Sequence, residues 1–278
     1  MVSTSPNPPA AVAHVGEGDE RVAYLDEGNG PAALFVHVGM WSYVWRDVIA
    51  TLRTEFRCIA PDAPASGLSG GDPRRHATLR TAATRLSRLV ETLDLRDLTL
   101  VFHDLGGPVA VAAAGRWPER VRALVAVNTF AWHPNGLAFR GMLATMGSAP
   151  VRTLDVGTGL IPRMSSTRFG AGRHFDRAQR RQFRAGLDHR GRSSFHRYFA
   201  DARRSDIWPQ TESALERLRD LPLTTVFGAR NDPLRFQLQW RARFPHSTQV
   251  VVPHGYHFPM CDDPAAVAAA VRSASGRS

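Results

Sequence analysis

Six short, nearly uninterrupted apolar runs leave this chain few folds to choose from. Ala32–Val38 (AALFVHV), Phe56–Ala60 (FRCIA), Leu98–His103 (LTLVFH), Val121–Asn128 (VRALVAVN), Leu223–Gly228 (LTTVFG) and Thr248–Val252 (TQVVV) have strand length. Runs of this kind suit strands covered on both faces, as in a parallel sheet. Between them lie stretches of helical period: Trp41–Leu52, Leu79–Leu93, Gly107–Trp117, Leu234–Phe244 and Pro264–Val271. The alternation predicts an α/β fold with a mostly parallel, doubly wound sheet covered by helices. Val12–Val15 and Arg21–Leu25 read as an antiparallel edge hairpin. The alternation lapses once, from Phe130 to about Asp220, where no strand is evident. The pattern resumes afterwards, so residues 131–220 read as a helical cap inserted into a core made of residues 1–130 and 221–278. Residues 1–10 and 273–278 read as loose ends.

Composition removes whole classes of chemistry. With 43% apolar and 22% charged residues over 278 positions, the chain can bury a sizeable core and is too hydrophobic for general disorder. All 35 basic residues are arginine, which excludes a phosphate-loop lysine, a Schiff-base lysine and a Ser-Lys dyad. Cys58 and Cys261 stand far apart with no CxxC spacing, so neither a disulfide framework nor a thiolate zinc site is expected. No run is long enough to span a membrane, and Met1–Ala10 is Pro/Ser-rich without the basic-then-apolar order of a signal peptide. A cytoplasmic protein without membrane partners is the expectation. The net charge of +10 is local: residues 131–220 hold 16 arginines against 8 acidic residues. Arg173, Arg177, Arg180, Arg181 and Arg184 lack interleaved stacking aromatics, so a solvated helical face is favoured over a nucleic-acid surface.

In open parallel sheets ligands bind at the carboxyl ends of strands. The central strand ends in Phe102-His103-Asp104-Leu105-Gly106-Gly107-Pro108, followed by an Ala/Val-rich helix. That is a nucleophile elbow with aspartate where serine usually stands. The next-to-last strand leads to Asp232, and the last to His254-Gly255-Tyr256-His257-Phe258. The order nucleophile, acid, histidine is that of the α/β-hydrolases.

The sequence resembles the haloalkane dehalogenase and epoxide hydrolase branch of the α/β-hydrolase superfamily. The resemblance runs from the HxG-like turn at His37 through Trp41-Ser42-Tyr43-Val44-Trp45-Arg46, Ala60-Pro61-Asp62, Asp104, Asn128-Thr129-Phe130 and Asp232 to His257. It implies the α/β-hydrolase fold with a helical cap and no cofactor. Gly67-Leu68-Ser69-Gly70-Gly71 also matches G-x-S-x-G, but it follows a loop and precedes Asp72-Pro73, so Ser69 is expected to be structural. His254 and His257 form an H-x-x-H pair without a nearby glutamate, and no metal site is expected.

A carboxylate attacking an acyl carbon makes a mixed anhydride, whereas attack on a saturated carbon makes an ordinary ester. Asp104 therefore points to an sp3 electrophile carrying halide or epoxide oxygen, with His257 activating water in a second step and Asp232 orienting it. Asp232 has a second reading, as the N-cap of the helix beyond it. Donors for the developing charge are expected from Leu105 and from Val38, with Gly39 as the alternative. Trp41, Trp132 and Tyr198 are pocket candidates.

The sequence departs from both subfamilies. His37-Val38-Gly39 lacks the first glycine of His-Gly. Leu105 stands where dehalogenases resemble one another in placing tryptophan, and the insertion holds Tyr198 alone where epoxide hydrolases use two tyrosines. Dehalogenation is the leading expectation, epoxide hydrolysis the alternative, and a non-catalytic ligand-binding scaffold a further one. The partner is a small molecule, and the positive insertion would favour an anionic one. Oligomeric state is not assigned.

Overall fold

The computed structural model describes residues 12–133, 135–168 and 170–276. Residues 1–10, read above as a loose end, lie outside them. Eight strands form one sheet: β1 (Val12–Val15), β2 (Val22–Glu27), β3 (Ala32–His37), β4 (Arg57–Pro61), β5 (Leu98–Asp104), β6 (Val121–Thr129), β7 (Leu223–Gly228) and β8 (Thr248–Val252). Their order is β1-β2-β4-β3-β5-β6-β7-β8. β1 and β2 pair antiparallel with each other, β2 runs antiparallel to β4, and every later pairing is parallel. Each of the six apolar runs falls on a parallel strand, and the predicted hairpin is the antiparallel edge.

Thirteen α-helices lie among the described residues. Before the insertion come α1 (Arg46–Leu52), α2 (Pro73–His76), α3 (Leu79–Thr92) and α4 (Gly106–Ala114). Within it are α5 (Leu137–Met146), α6 (Ala149–Thr158), α7 (Leu160–Ser165), α8 (Arg177–Ala185), α9 (His189–Ala202) and α10 (Trp208–Leu218). After it follow α11 (Phe236–Arg243), α12 (Pro259–Asp262) and α13 (Pro264–Ala274). The stretch expected as one helix from Trp41 is divided: Ser42–Trp45 forms a 3-10 turn, and α1 starts at Arg46. The buried Asp62 carboxylate accepts the Ser42 N–H at 2.8 Å and so fixes where that turn begins. α13 continues past Ser273, read above as a loose end.

The helical stretch 131–220 packs on the rest of the chain through α10 and α9, among other contacts. α10 is seated on α4, where Gln210 Nε2 donates to the Ala112 carbonyl at 3.1 Å. A Cβ on Gly115 would stand 2.6 Å from the Ala214 Cβ, so that glycine sets the helix–helix spacing. α9 is stitched to the loop after β4 by three residues spaced one turn apart. Arg190 donates to the Gly67 and Ser69 carbonyls, Ser194 to that of Ala65 at 2.6 Å and Tyr198 to that of Pro64 at 2.8 Å. Positions i, i+4 and i+8 share a helix face, which is why three side chains of one helix can serve four carbonyls of one loop. Asp201, on the same side, accepts the Leu79 N–H at the start of α3.

Tyr198 is fully buried. Tyr198→Phe leaves the buried Pro64 carbonyl without its donor, at a cost of about 1–2 kcal/mol. A urea titration should show the midpoint falling with the slope unchanged.

Candidate active site

The site begins with two glycines. A Cβ on Gly106 would meet the Val36 carbonyl oxygen at 2.7 Å, and one on Gly107 would meet the Phe130 oxygen at 2.1 Å. Only residues without side chains let α4 start this close to the ends of β3 and β6. The chain must turn sharply to get there, and Asp104 carries the turn at φ 50°, a left-handed conformation rare outside glycine and tolerated best by Asp and Asn. Thr129 Oγ1 donates to the Asp104 carbonyl at 2.6 Å and holds the elbow from β6. The Asp104 side chain is 19% exposed and faces the backbone N–H of Leu105. Burial raises its carboxyl pKa above the ordinary value, against the opposing pull of His257 and of that N–H.

His257 stands across from it, with Nε2 3.9 Å from the nearer Asp104 oxygen. The histidine is placed through its backbone: its carbonyl meets His103 Nε2 at 2.6 Å. Beside it, Asn128 Nδ2 donates to the Tyr256 carbonyl at 2.7 Å while its Oδ1 accepts the Gly228 N–H at 2.9 Å. Three imidazoles lie in a row beside Asp104, tilted to one another, with ring centroids 4.9 Å apart for His37 and His103 and 4.7 Å for His103 and His257. Burial, helped by the charge of His257, pushes His37 down to about 3 and lowers His103 as well, so both stay neutral.

Asp232, expected at His257, turns away from it. Its carboxylate accepts the N–H groups of Phe236 at 2.6 Å and Gln237 at 3.1 Å, the free donors at the start of α11. The capping reading describes its position. Asn231 takes the place beside the histidine, with its amide 3.2 Å from His257 Nδ1.

The other expected residues divide in the same way. The positive φ of the shortened turn falls on Gly39, at 94°, and not on Val38. A β-branched residue is thereby spared the strained position. Leu105 is buried with its N–H toward Asp104. Trp41 spends its indole N–H on the Phe183 carbonyl at 2.9 Å, tying the core to the cap. Tyr198 is withdrawn from any pocket by its bond to Pro64. Trp132 packs against Trp240 and under Arg243, and lines a cleft of about 480 Å³ with Glu212, Glu216 and Arg219. Ser69 is buried, donates to the Asp62 carbonyl at 2.7 Å and accepts the Ala23 N–H at 2.9 Å, so it is structural.

Comparison with known proteins identifies the family. The model of the alpha/beta hydrolase family matches residues 33–270. The chain belongs to the alpha/beta hydrolase family. Haloalkane dehalogenase 2 of Mycobacterium bovis is 29% identical over 274 residues, covering 90% of this chain and 90% of that one. A cis-3-alkyl-4-alkyloxetan-2-one decarboxylase of Shewanella oneidensis is 35% identical over 117 residues, 41% of this chain and 37% of its own length. Among solved structures, a putative ancestral haloalkane dehalogenase superposes with a TM-score of 0.78 at 22% identity, covering 95% of this chain and 99% of that one. Haloalkane dehalogenase DbeA from Bradyrhizobium elkanii gives 0.78 at 21%, covering 96% of each chain. The relative and the solved structures named haloalkane dehalogenase each match over nearly the whole chain, and the structures share its fold.

Asn231 and the anchoring contact of His103 were not foreseen as parts of the hydrolase site. The available signals were slight: an amide beside the expected acid, and a histidine beside the nucleophile.

The raised pKa of Asp104 has a sign that can be checked. A carboxyl whose folded-state pKa exceeds its unfolded value adds most to stability when protonated, and that contribution is lost as pH rises through the folded pKa. At neutral pH the fold carries this buried charge at a cost. Asp104→Asn, which also suits the left-handed φ, should raise Tm at pH 7, and the gain should vanish below the ordinary carboxylate value of 3.8, where wild-type Asp104 is protonated too.

Proposed function

We propose that this hydrolase cleaves carbon–halogen bonds through an ester on Asp104. An Asp104 oxygen attacks the saturated carbon, the carbon–halogen bond breaks and halide leaves. Water then attacks the ester carbonyl carbon while His257 Nε2 takes its proton; the tetrahedral intermediate expels the alcohol, restoring the Asp104 carboxylate, and the imidazolium releases its proton to solvent. The observation that carries this reading is an aspartate on a glycine-backed elbow with an imidazole Nε2 facing it at 3.9 Å. A carboxylate in that position is suited to an sp3 electrophile. Epoxide hydrolysis is the weaker reading, because the hydroxyl of Tyr198 is committed to Pro64.

With leucine after the nucleophile, no side-chain donor from that position meets the departing halide, and backbone N–H groups at Leu105 and in the Val38–Gly39 turn are left to do so. Rates should therefore depend steeply on leaving-group ability, with iodoalkanes and bromoalkanes far ahead of chloroalkanes. Halide release and diol formation should be assayed in parallel on haloalkanes and styrene-type epoxides, with Asp104→Asn as control. Diol formation without halide release would assign the enzyme to epoxides, and equal activity in Asp104→Asn would remove the nucleophile.

The positive charge bears on substrate choice through two arginines in particular. Arg173 donates to the His254 carbonyl at 2.9 Å and lies over the Tyr256 ring, and Arg230 donates to the Tyr256 hydroxyl at 3.0 Å. Both flank the loop that delivers His257, whereas Arg177, Arg181 and Arg184 of α8 are exposed. A cationic rim lowers the energy of an approaching anion and is screened by salt. kcat/KM for a haloalkanoate should fall several-fold from low to high ionic strength, while that for a neutral haloalkane stays level. Equal responses would show that the site does not select anions.

A further inference from the structure

The two halves of the proposed reaction make different electrostatic demands, and the surroundings of His257 meet only the first. In the first half, negative charge passes from Asp104 to the departing halide and His257 exchanges no proton. In the second half, the water O–H bond breaks, its proton goes to Nε2, and an imidazolium forms. That cation needs a counter-charge, and the step needs the imidazole proton on Nδ1 so that Nε2 presents a lone pair.

Neither need is met by the residues in place. Asn231 lies 3.2 Å from Nδ1, and the Asp232 carboxylate is held by two backbone N–H groups of α11. The residue near the end of β6 is also an amide, Asn128, engaged with Gly228 and Tyr256. On its other side the imidazole meets His103 and Phe258, with centroids at 4.7 and 4.8 Å. The one carboxylate that pairs with His257 among the described residues is Asp104 itself, and it is an uncharged ester when the cation forms. An amide donates as well as accepts, whereas a carboxylate only accepts. Asn231, whose amide stands 3.2 Å from Nδ1, therefore does not fix the imidazole proton on Nδ1 as a carboxylate would, and it supplies no counter-charge.

We propose that this protein captures alkyl groups rapidly on Asp104 and releases them slowly, so that the ester is the predominant state during turnover, with Asn231 the positioning residue that sets the release rate. The inference rests on Asp104 being the nucleophile. Mixing the wild-type protein with excess 1-bromobutane should release one halide per protein in a burst, followed by a phase slower by about 10²–10⁴-fold, the range set by losing the correct tautomer and its counter-charge. Intact mass during the slow phase should show one butyl adduct, and peptide mapping should place it on Asp104. Asn231→Asp should speed the slow phase at least ~10-fold. It should also move the pH inflection of that phase upward, because a carboxylate favours the charged imidazole, a shift that a purely structural change would not produce. Halide release that is linear from the first turnover, with no adduct, would overturn slow release and leave the nucleophile standing. Absence of both halide and adduct would overturn the nucleophile reading beneath it. The wild-type burst decides the matter even if Asn231→Asp fails to fold.

Discussion

Everything in the site depends on how closely the first turn of α4 approaches the sheet. The missing Cβ atoms of Gly106 and Gly107 let the helix start against the carbonyls of Val36 and Phe130. That approach goes with a left-handed turn at Asp104, two residues before Gly106, and the turn lifts the Asp104 side chain out of the strand toward His257. Larger residues at either glycine would move the helix away and relax the turn. Asp104 is thus positioned by backbone packing, and its own hydrogen bonds serve afterwards to tune its charge.

α9 is joined to the loop after β4 by a similar economy of means. α9 meets the loop after β4 through arginine, serine and tyrosine donating to backbone carbonyls, with no ion pair at that seam. Backbone acceptors are indifferent to pH and little affected by salt, so the seam does not depend on the arginine-rich exterior. Inside the cap, His196 bridges the Met146 carbonyl and the buried Asp155 carboxylate, whose second oxygen accepts the Ile161 N–H. A polar group is tolerable at this depth because each of its atoms has a partner.

The strands were legible because parallel β-structure buries both faces and writes itself as continuous apolar runs, and the elbow because its glycines follow such a run directly. The α/β-hydrolase order of Asp104, Asp232 and His257 was equally plain. Side-chain direction was not. Asp232 and Asn231 are adjacent in sequence, and which of them faces His257 depends on where α11 begins: its open N–H groups attract the carboxylate and leave the amide for the imidazole. Tyr198 could be placed in the cap from sequence, but only the rotation of α9 turns it onto Pro64. Gly39 shows the reverse case, where a deleted residue looked damaging and the glycine one place later absorbs the strain.

Position and charge are supplied to His257 by different groups, and this separation accounts for the character of the site. His103 and Asn128 act on backbone atoms of the His257 loop, so the imidazole is held in place whatever its protonation state. His103 can do this only if it keeps one fixed tautomer, and burial ensures that by making its own protonation unfavourable. On this side the His257 imidazole meets the rings of His103 and Phe258, which carry no charge to offset an imidazolium. A well-placed but weakly supported imidazole is compatible with forming the ester on Asp104, since that step asks nothing of its charge. It is much less suited to the hydrolytic step, in which the charge must appear.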